Sequence, residues 1–168
     1  FKKGQRVLGA FSEYMLVKPE QAFVISENLP LEFAAFSEPI ACCVRSLQKL
    51  NLSAGEDILI SGAGTMGLLH LKLAKAMGAR AIVSDIDPKK LDKAERMGAD
   101  AVINAADENE LKDTIKQFTG GVGVSCCAIT TSAIASVKSA CEIMADGGRI
   151  NIYTSYDDDP VFPMGLNS

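Results

Sequence analysis

From residue 57 onward the apolar positions follow two alternating patterns. Short runs of β-favouring residues cover Asp57–Ser61, Ala79–Asp85, Ala101–Asn104, Val124–Thr130 and Arg149–Thr154. Between them apolar residues recur at helical spacing. The stretch Thr65–Met77 carries Leu68, Leu69, Leu71, Leu73 and Ala74, which makes it apolar on most sides. A helix opened by Pro88 presents Leu91, Ala94 and Met97, and Glu108–Phe118 presents Leu111, Ile115 and Phe118. Ser132–Met144 aligns Ile134, Val137, Cys141 and Met144. Gly78 and Gly98 close the first two of these helices. The run Val124–Thr130 is nearly continuous in apolar character, as expected of a strand buried on both faces. Strands alternating with helices predict an α/β fold, a doubly wound parallel sheet ordered 3-2-1-4-5 by right-handed crossovers.

The chain ahead of residue 57 is organised differently. Phe1–Val7 reads as a turn into a strand, and Phe11–Val17 and Ala22–Ile25 read as short strands. Two or three such strands are too few to close a barrel, so they are expected to be the edge of a domain whose remainder lies outside this chain. Asn28-Leu-Pro30 breaks the pattern, and Leu31–Phe36 suits one or two helical turns. Ser37-Glu38-Pro39 then opens a helix, with proline in its first turn. Ile40, Val44, Leu47 and Leu50 mark the face it buries. At the other end, Asp157–Pro160 reads as a polar loop.

Composition narrows the function. The 168 residues are 48% hydrophobic and 23% charged, with a net charge of −4, so no basic face invites nucleic acid. No apolar run reaches membrane-spanning length. The five cysteines stand as two adjacent pairs, Cys42-Cys43 and Cys126-Cys127, and a singleton, Cys141. That spacing matches neither a zinc ribbon nor a disulfide framework. It fits apolar packing of free thiols in a reducing cytoplasm.

Chemistry concentrates at Gly62-Ala-Gly64-Thr65-Met66-Gly67, between the first strand of the array and its helix. The G-x-G-x-x-G spacing gives Gly62 the tight turn, Gly64 the close approach of a pyrophosphate, and Gly67 the close packing of helix on strand. The helix N-terminus supplies unpaired N–H groups and a positive dipole end. Asp85 stands 21 positions beyond Gly64, at the end of the next strand. An acid there accepts hydrogen bonds from the adenosine ribose and repels a 2′-phosphate, which predicts NAD over NADP. Asp87 competes with Asp85 for this role, the other being a solvated strand-end acid. Lys90 either lies along the ribose edge or is solvated. His70 is the sole histidine and cannot make a zinc site alone, so it reads as a packed, hydrogen-bonded core residue. Adjacent residues on a helix point about 100° apart, so at most one of Cys42 and Cys43 faces a metal. An S-adenosylmethionine methyltransferase uses similar loops, but Gly67 and the Glu-Pro helix disfavour it.

A set of motifs falls in order along the chain: Gly-Ala-Phe-Ser-Glu-Tyr (9–14), Ser-Glu-Pro (37–39), Gly-Ala-Gly-Thr-Met-Gly-Leu-Leu-His-Leu (62–71), Ala-Lys-Ala-Met-Gly-Ala (74–79), Ser-Asp-Ile-Asp (84–87), Met-Gly-Ala-Asp (97–100) and Asp-Gly-Gly-Arg (146–149). Together they resemble the zinc-containing medium-chain alcohol dehydrogenases, in the sorbitol/polyol and threonine dehydrogenase branch. The resemblance implies a fragment of such an enzyme. Residues 1–37 would be a remnant of its GroES-like barrel domain, and residues 38–168 its NAD-binding Rossmann domain without the sixth strand. It implies a zinc-dependent oxidoreductase passing a hydride between a secondary alcohol or polyol and NAD, and a homo-oligomer joined through the edges of the sixth strands, a segment not in this sequence. Gly62, Gly64, Thr65, Met66, Gly67, Asp85 and Lys90 would hold NAD, with Met66 behind the nicotinamide ring. Glu38, the glutamate of the Glu-Pro motif, would contribute to the zinc. No catalytic residue in this chain is implied. Three departures stand out. The family's upstream zinc ligands are not in the sequence. A lobe is missing between Val7 and Leu8. Ala128 and Thr131 replace a Glu-x-x-Gly pattern that borders the cofactor. These departures support a second reading, a stand-alone NAD(H)-binding sensor or interaction module.

Overall fold

The computed structural model describes residues 12–155. The chain divides at Phe36–Ser37 into two compact units. Among the described residues of the first, a 3-10 turn spans Pro19–Gln21 and a short helix, α1, spans Leu31–Ala34. Of the strands expected at 11–17 and 22–25, the described residues 12–17 and 22–25 form no ladder. An extended segment is stable only when a neighbour takes up its N–H and C=O groups. Tyr14, Leu16, Phe23 and Val24 are almost fully exposed. The readings of Phe1–Val7 and of the tail at 157–160 lie outside the described residues.

The second unit begins with α2 (Ser37–Lys49) and continues as a βα array: β1 (Asp57–Ser61), α3 (Thr65–Ala76), β2 (Arg80–Asp85), α4 (Pro88–Arg96), β3 (Ala101–Asn104), α5 (Glu108–Phe118), β4 (Val124–Ile129), α6 (Ala135–Ile143) and β5 (Met144–Ile152). The five strands form one parallel sheet in the order β3-β2-β1-β4-β5, the order that the sequence pattern predicts. Strand alternation divides the core in two. Ile58, Ile60, Ala81, Val83, Cys126 and Ala128 point to the face covered by α2, α3 and α4. Leu59, Ile82, Ile103, Cys127 and Ile129 point to the face covered by α5 and α6. Each adjacent cysteine of β4 thus enters a different cluster. Burial of each Ile, Leu or Val side chain contributes about 1.5–3 kcal/mol.

Three details differ from the sequence reading. In α2 the buried residues are Cys43, Ser46 and Leu47, with Leu50 buried just past its end, while Val44 is exposed. In α6 they are Val137, Ala140 and Ile143, while Ile134 and Cys141 are exposed. Which positions are buried follows from how each helix packs against its neighbours, which periodicity does not fix. Asp146-Gly-Gly148 lies inside β5 rather than before it. Val124 pairs with Met144 and Cys126 with Arg149, so these residues bulge out of the ladder, with Gly147 at φ +72°.

His70 is fully buried in α3. Its Nδ1–H donates to the Met66 carbonyl at 2.7 Å, and Tyr153 meets its ring edge-on at 4.8 Å between centroids. Burial lowers its pKa below the ordinary 6.5. The unfolded chain therefore binds more protons than the native one between the lowered value and 6.5. Stability from the neutral imidazole is complete above 6.5 and is lost as pH falls through that window. Unfolding free energy measured by urea titration should fall on acidification below 6.5, with this group contributing at most about 1.4 kcal/mol per pH unit. The His70→Gln protein should lack that component. A native imidazole titrating by NMR at or above 6.5 would contradict it.

Candidate functional site

β1 ends at Ser61 in the middle of the sheet, where β2 lies on one side and β4 on the other. The turn that follows is tied to both. The Gly62 N–H donates to the Ser84 carbonyl of β2 at 2.7 Å. The Ala63 N–H donates to Asp85 Oδ2 at 2.8 Å. On the other side, the Thr130 N–H donates to the Ser61 carbonyl at 2.8 Å. Gly62 has φ +105°, which an L side chain rarely adopts, and a Cβ there would stand 2.7 Å from Thr130 Oγ1.

Gly64 and Gly67 have opposite surroundings. A Cβ on Gly67 would overlap the Gly62 carbonyl oxygen, so the helix starts against the turn only because that residue is bare. Around Gly64 a Cβ would meet nothing within 4 Å, so its backbone faces open space. Gly64 is the N-cap of α3 and offers no side-chain cap, and the first helical bond runs from the Leu68 N–H to its carbonyl. The N–H groups of Thr65, Met66 and Gly67 precede that bond and have no intrahelical acceptor. A bare backbone and a positive helix end make an anion cradle.

The two acids at the end of β2 separate cleanly. Asp87 caps α4 by accepting from the Lys89 N–H at 2.9 Å, with Pro88 as the first helical residue. Asp85 is not a solvated acid. Its side chain is 10% exposed, and its Oδ1 accepts from the Asp87 N–H at 2.9 Å. Lys90 Nζ stands 3.9 Å from Asp85 Oδ2 and is half exposed, a pairing worth little in water. A cleft of about 200 Å³ opens beside Asp85 on the α5–α6 side, lined among others by Gly62, Ile86, Ala105, Thr131 and Ser136. Thr131 therefore borders the cleft, whereas Ala128 is fully buried in the core on the other face and does not. Ile86 and Thr130 were not singled out from the sequence. The signal for Ile86 was available, since it is an apolar residue set between two acids at the end of a strand; the structure leaves it exposed.

On the opposite face, α2 brings a second group of side chains toward α3. Glu38 is exposed, and the Cys42 thiol donates to its Oε1 at 3.3 Å. That carboxylate raises the Cys42 pKa. Cys43 is buried, with its thiol 3.9 Å from the Met66 carbonyl, and burial pushes its pKa up to about 11. Tyr153, at the end of β5, is pushed up to about 12, chiefly by burial and then by the neighbouring thiols. Glu38 and Cys42 are a carboxylate and a thiol within reach of each other. They do not make a metal site by themselves, because a catalytic zinc takes three protein ligands. Among the described residues no cluster of three His, Cys, Asp or Glu side chains could hold a metal ion. No helix there is long and apolar enough to cross a membrane.

Comparison with known proteins gives these features a family. The model of the family described as zinc-binding dehydrogenase matches residues 65–166. Sorbitol dehydrogenase of Bacillus subtilis is 34% identical over 145 residues, covering 86% of this chain and 41% of that protein. The crystal structure of a putative zinc-binding dehydrogenase from Clostridium scindens superposes with a TM-score of 0.82 at 31% identity, covering 87% of this chain and 41% of that one. A protein described as a short chain alcohol dehydrogenase from Escherichia coli CFT073, solved in complex with NADH, superposes with a TM-score of 0.77 at 25% identity, covering 84% of this chain and 42% of that one. The chain thus spans about two fifths of the length of the curated relatives it matches. With the fold, the glycine turn and the family model in agreement, the chain belongs to the zinc-binding dehydrogenases, the medium-chain alcohol dehydrogenase family that its motifs resemble.

Proposed function

We propose that this chain is the cofactor-binding part of a zinc-dependent oxidoreductase that transfers a hydride between a secondary alcohol or polyol and NAD. The observation that carries the reading is Asp85. Its carboxylate is held at the lip of the cleft by two backbone N–H groups and keeps lone pairs for a ribose diol. Gly64 and the unpaired N–H groups of Thr65, Met66 and Gly67 are placed to receive the pyrophosphate, and Ile86 offers an apolar platform for the adenine. Lys90, 3.9 Å from Asp85 Oδ2, is the residue proposed to lie along the ribose edge. NAD supplies the hydride acceptor, and this chain's residues bind it, orient it and pack behind it through Met66.

The sorbitol dehydrogenase relative supports a polyol as substrate class. Glu38 is the residue of this chain proposed to reach the zinc, with the remaining ligands outside the described residues. The exposed Tyr14, Leu16, Phe23 and Val24 support residues 1–37 as part of a neighbouring barrel domain. The five free thiols support a reducing cytoplasm.

Titration of NADH fluorescence tests the cofactor reading. Asp85→Ser should weaken NADH about tenfold, the scale of a hydrogen bond to a charged group, and narrow the preference over NADPH. Unchanged discrimination would refute the role of Asp85. Gly64→Ala should leave the unfolding free energy within about 1 kcal/mol, because its φ of −73° suits alanine and its Cβ meets nothing, yet NADH binding should drop. Gly67→Ala should instead destabilise the fold. Glu38→Gln in the intact protein should lower bound zinc, measured by elemental analysis, without changing NADH affinity. Full zinc content in that variant would remove Glu38 from the metal site, and a wild-type protein that binds NADH but never zinc would favour the stand-alone module.

A further inference from the structure

Thr130 follows β4 directly, and its side chain reaches back under the glycine turn. Its Oγ1 lies 2.9 Å from the Ser61 carbonyl and 3.2 Å from the Gly62 carbonyl and donates its one proton between them. Among the described residues the Gly62 carbonyl takes no backbone donor. Thr130 Oγ1 also occupies the space that a Cβ on Gly62 would need, and it would stand 3.1 Å from one on Gly67. The peptide between Gly62 and Ala63 is therefore held at both ends. Its carbonyl faces the Thr130 hydroxyl on β4, and its N–H faces Asp85 Oδ2 on β2.

We infer that the Thr130 hydroxyl is a positioning residue for dinucleotide binding, acting by fixing the orientation of the Gly62–Ala63 peptide. The physical argument rests on the glycine. At φ +105° and without a Cβ, Gly62 permits the following peptide plane to rotate at small steric cost. A rotation would turn the Ala63 N–H away from Asp85 and release the carboxylate that faces the ribose. It would also move the carbonyl on which Gly67 packs, and with it the first turn of α3. Asp85 holds one end of the plane only while the other end is held. Thr130 thus supports the ribose acceptor and the pyrophosphate cradle together, without touching the cofactor.

This inference rests on the proposed NAD site, and its test separates the two. Thr130→Val removes the hydroxyl and keeps the shape, and Thr130→Ser keeps the hydroxyl. In the intact protein the valine variant should bind NADH and ADP-ribose about tenfold more weakly, the scale of one unmade buried hydrogen bond, and serine should restore affinity to within about threefold of wild type. Independently of any ligand, the Ala63 amide should exchange with solvent more slowly than the Gly64 amide in wild type and the serine variant, and faster in the valine variant. Thr130→Ala replaces valine if that protein does not fold. Wild-type NADH affinity in a folded valine or alanine variant would overturn the inference. So would equal losses in valine and serine, or a fast-exchanging Ala63 amide in wild type. If wild type binds no NADH but the amide pattern holds, the cofactor reading fails while the clamp on the peptide stands.

Discussion

The contact between Gly67 and the Gly62 carbonyl governs the geometry of the second unit. A helix can leave a strand this sharply only if its first turn rests directly on the turn's backbone, and any side chain at 67 would overlap that carbonyl. The close approach aims the N-terminus of α3 over the end of β1, where the unpaired N–H groups of Thr65, Met66 and Gly67 converge. It also places α3 flat on the sheet, so that Leu68, Leu71 and Ala74 reach Ile58, Ile60 and Ala81 in one cluster. The anion cradle and half of the core therefore share one steric condition.

The turn needs neighbours as well as glycines. β1 is central, and its chain crosses to β2 on one side while β4 returns on the other, so the two flanking strands separate above its end. That separation opens the cleft and leaves backbone groups of the turn without ladder partners. They are satisfied locally, by Ser84 and Asp85 from β2 and by Thr130 from beyond β4. Binding chemistry gathers here because this is where a parallel sheet exposes oriented polar groups over a buried interior.

The strand and helix order was legible because each strand from 57 to 129 is a run of apolar residues bounded by turn formers, and each helix carries a regular stripe. Asp57–Ser61, Ala101–Asn104 and Glu108–Phe118 even begin and end as read. Helix faces were less legible. Cys43 and Val44 differ by one position, and which of them is buried depends on how α2 lies against α3, a tertiary angle. The segments 11–17 and 22–25 show the limit of propensity. Their residues favour extended chain, yet a strand exists only with a partner, and sequence pattern does not supply one. The glycines and Asp85 could be singled out by spacing because each acts through its own position. Thr130 acts through contact with residues 68 and 69 positions away, so no local spacing announces it.

Helix packing joins the two halves of the proposed chemistry. Glu38 and the cofactor turn lie on different elements, and no bond links them directly. Their relation is carried by α2 on α3, through Leu47 and Leu50 against Leu71 and Ala74 in the shared cluster. The Met66 carbonyl then receives the His70 imidazole at close range and lies near the Cys43 thiol. Met66 is thus fixed from inside α3 and from α2 at once. A shift of α2 by even a fraction of a turn would move Glu38, one turn from the Cys42-Cys43 pair, relative to the N-terminus of α3. The small thiol of Cys43 permits that approach where a larger side chain would hold the helices apart, which accounts for a buried cysteine at a position that periodicity assigns to the neighbouring valine.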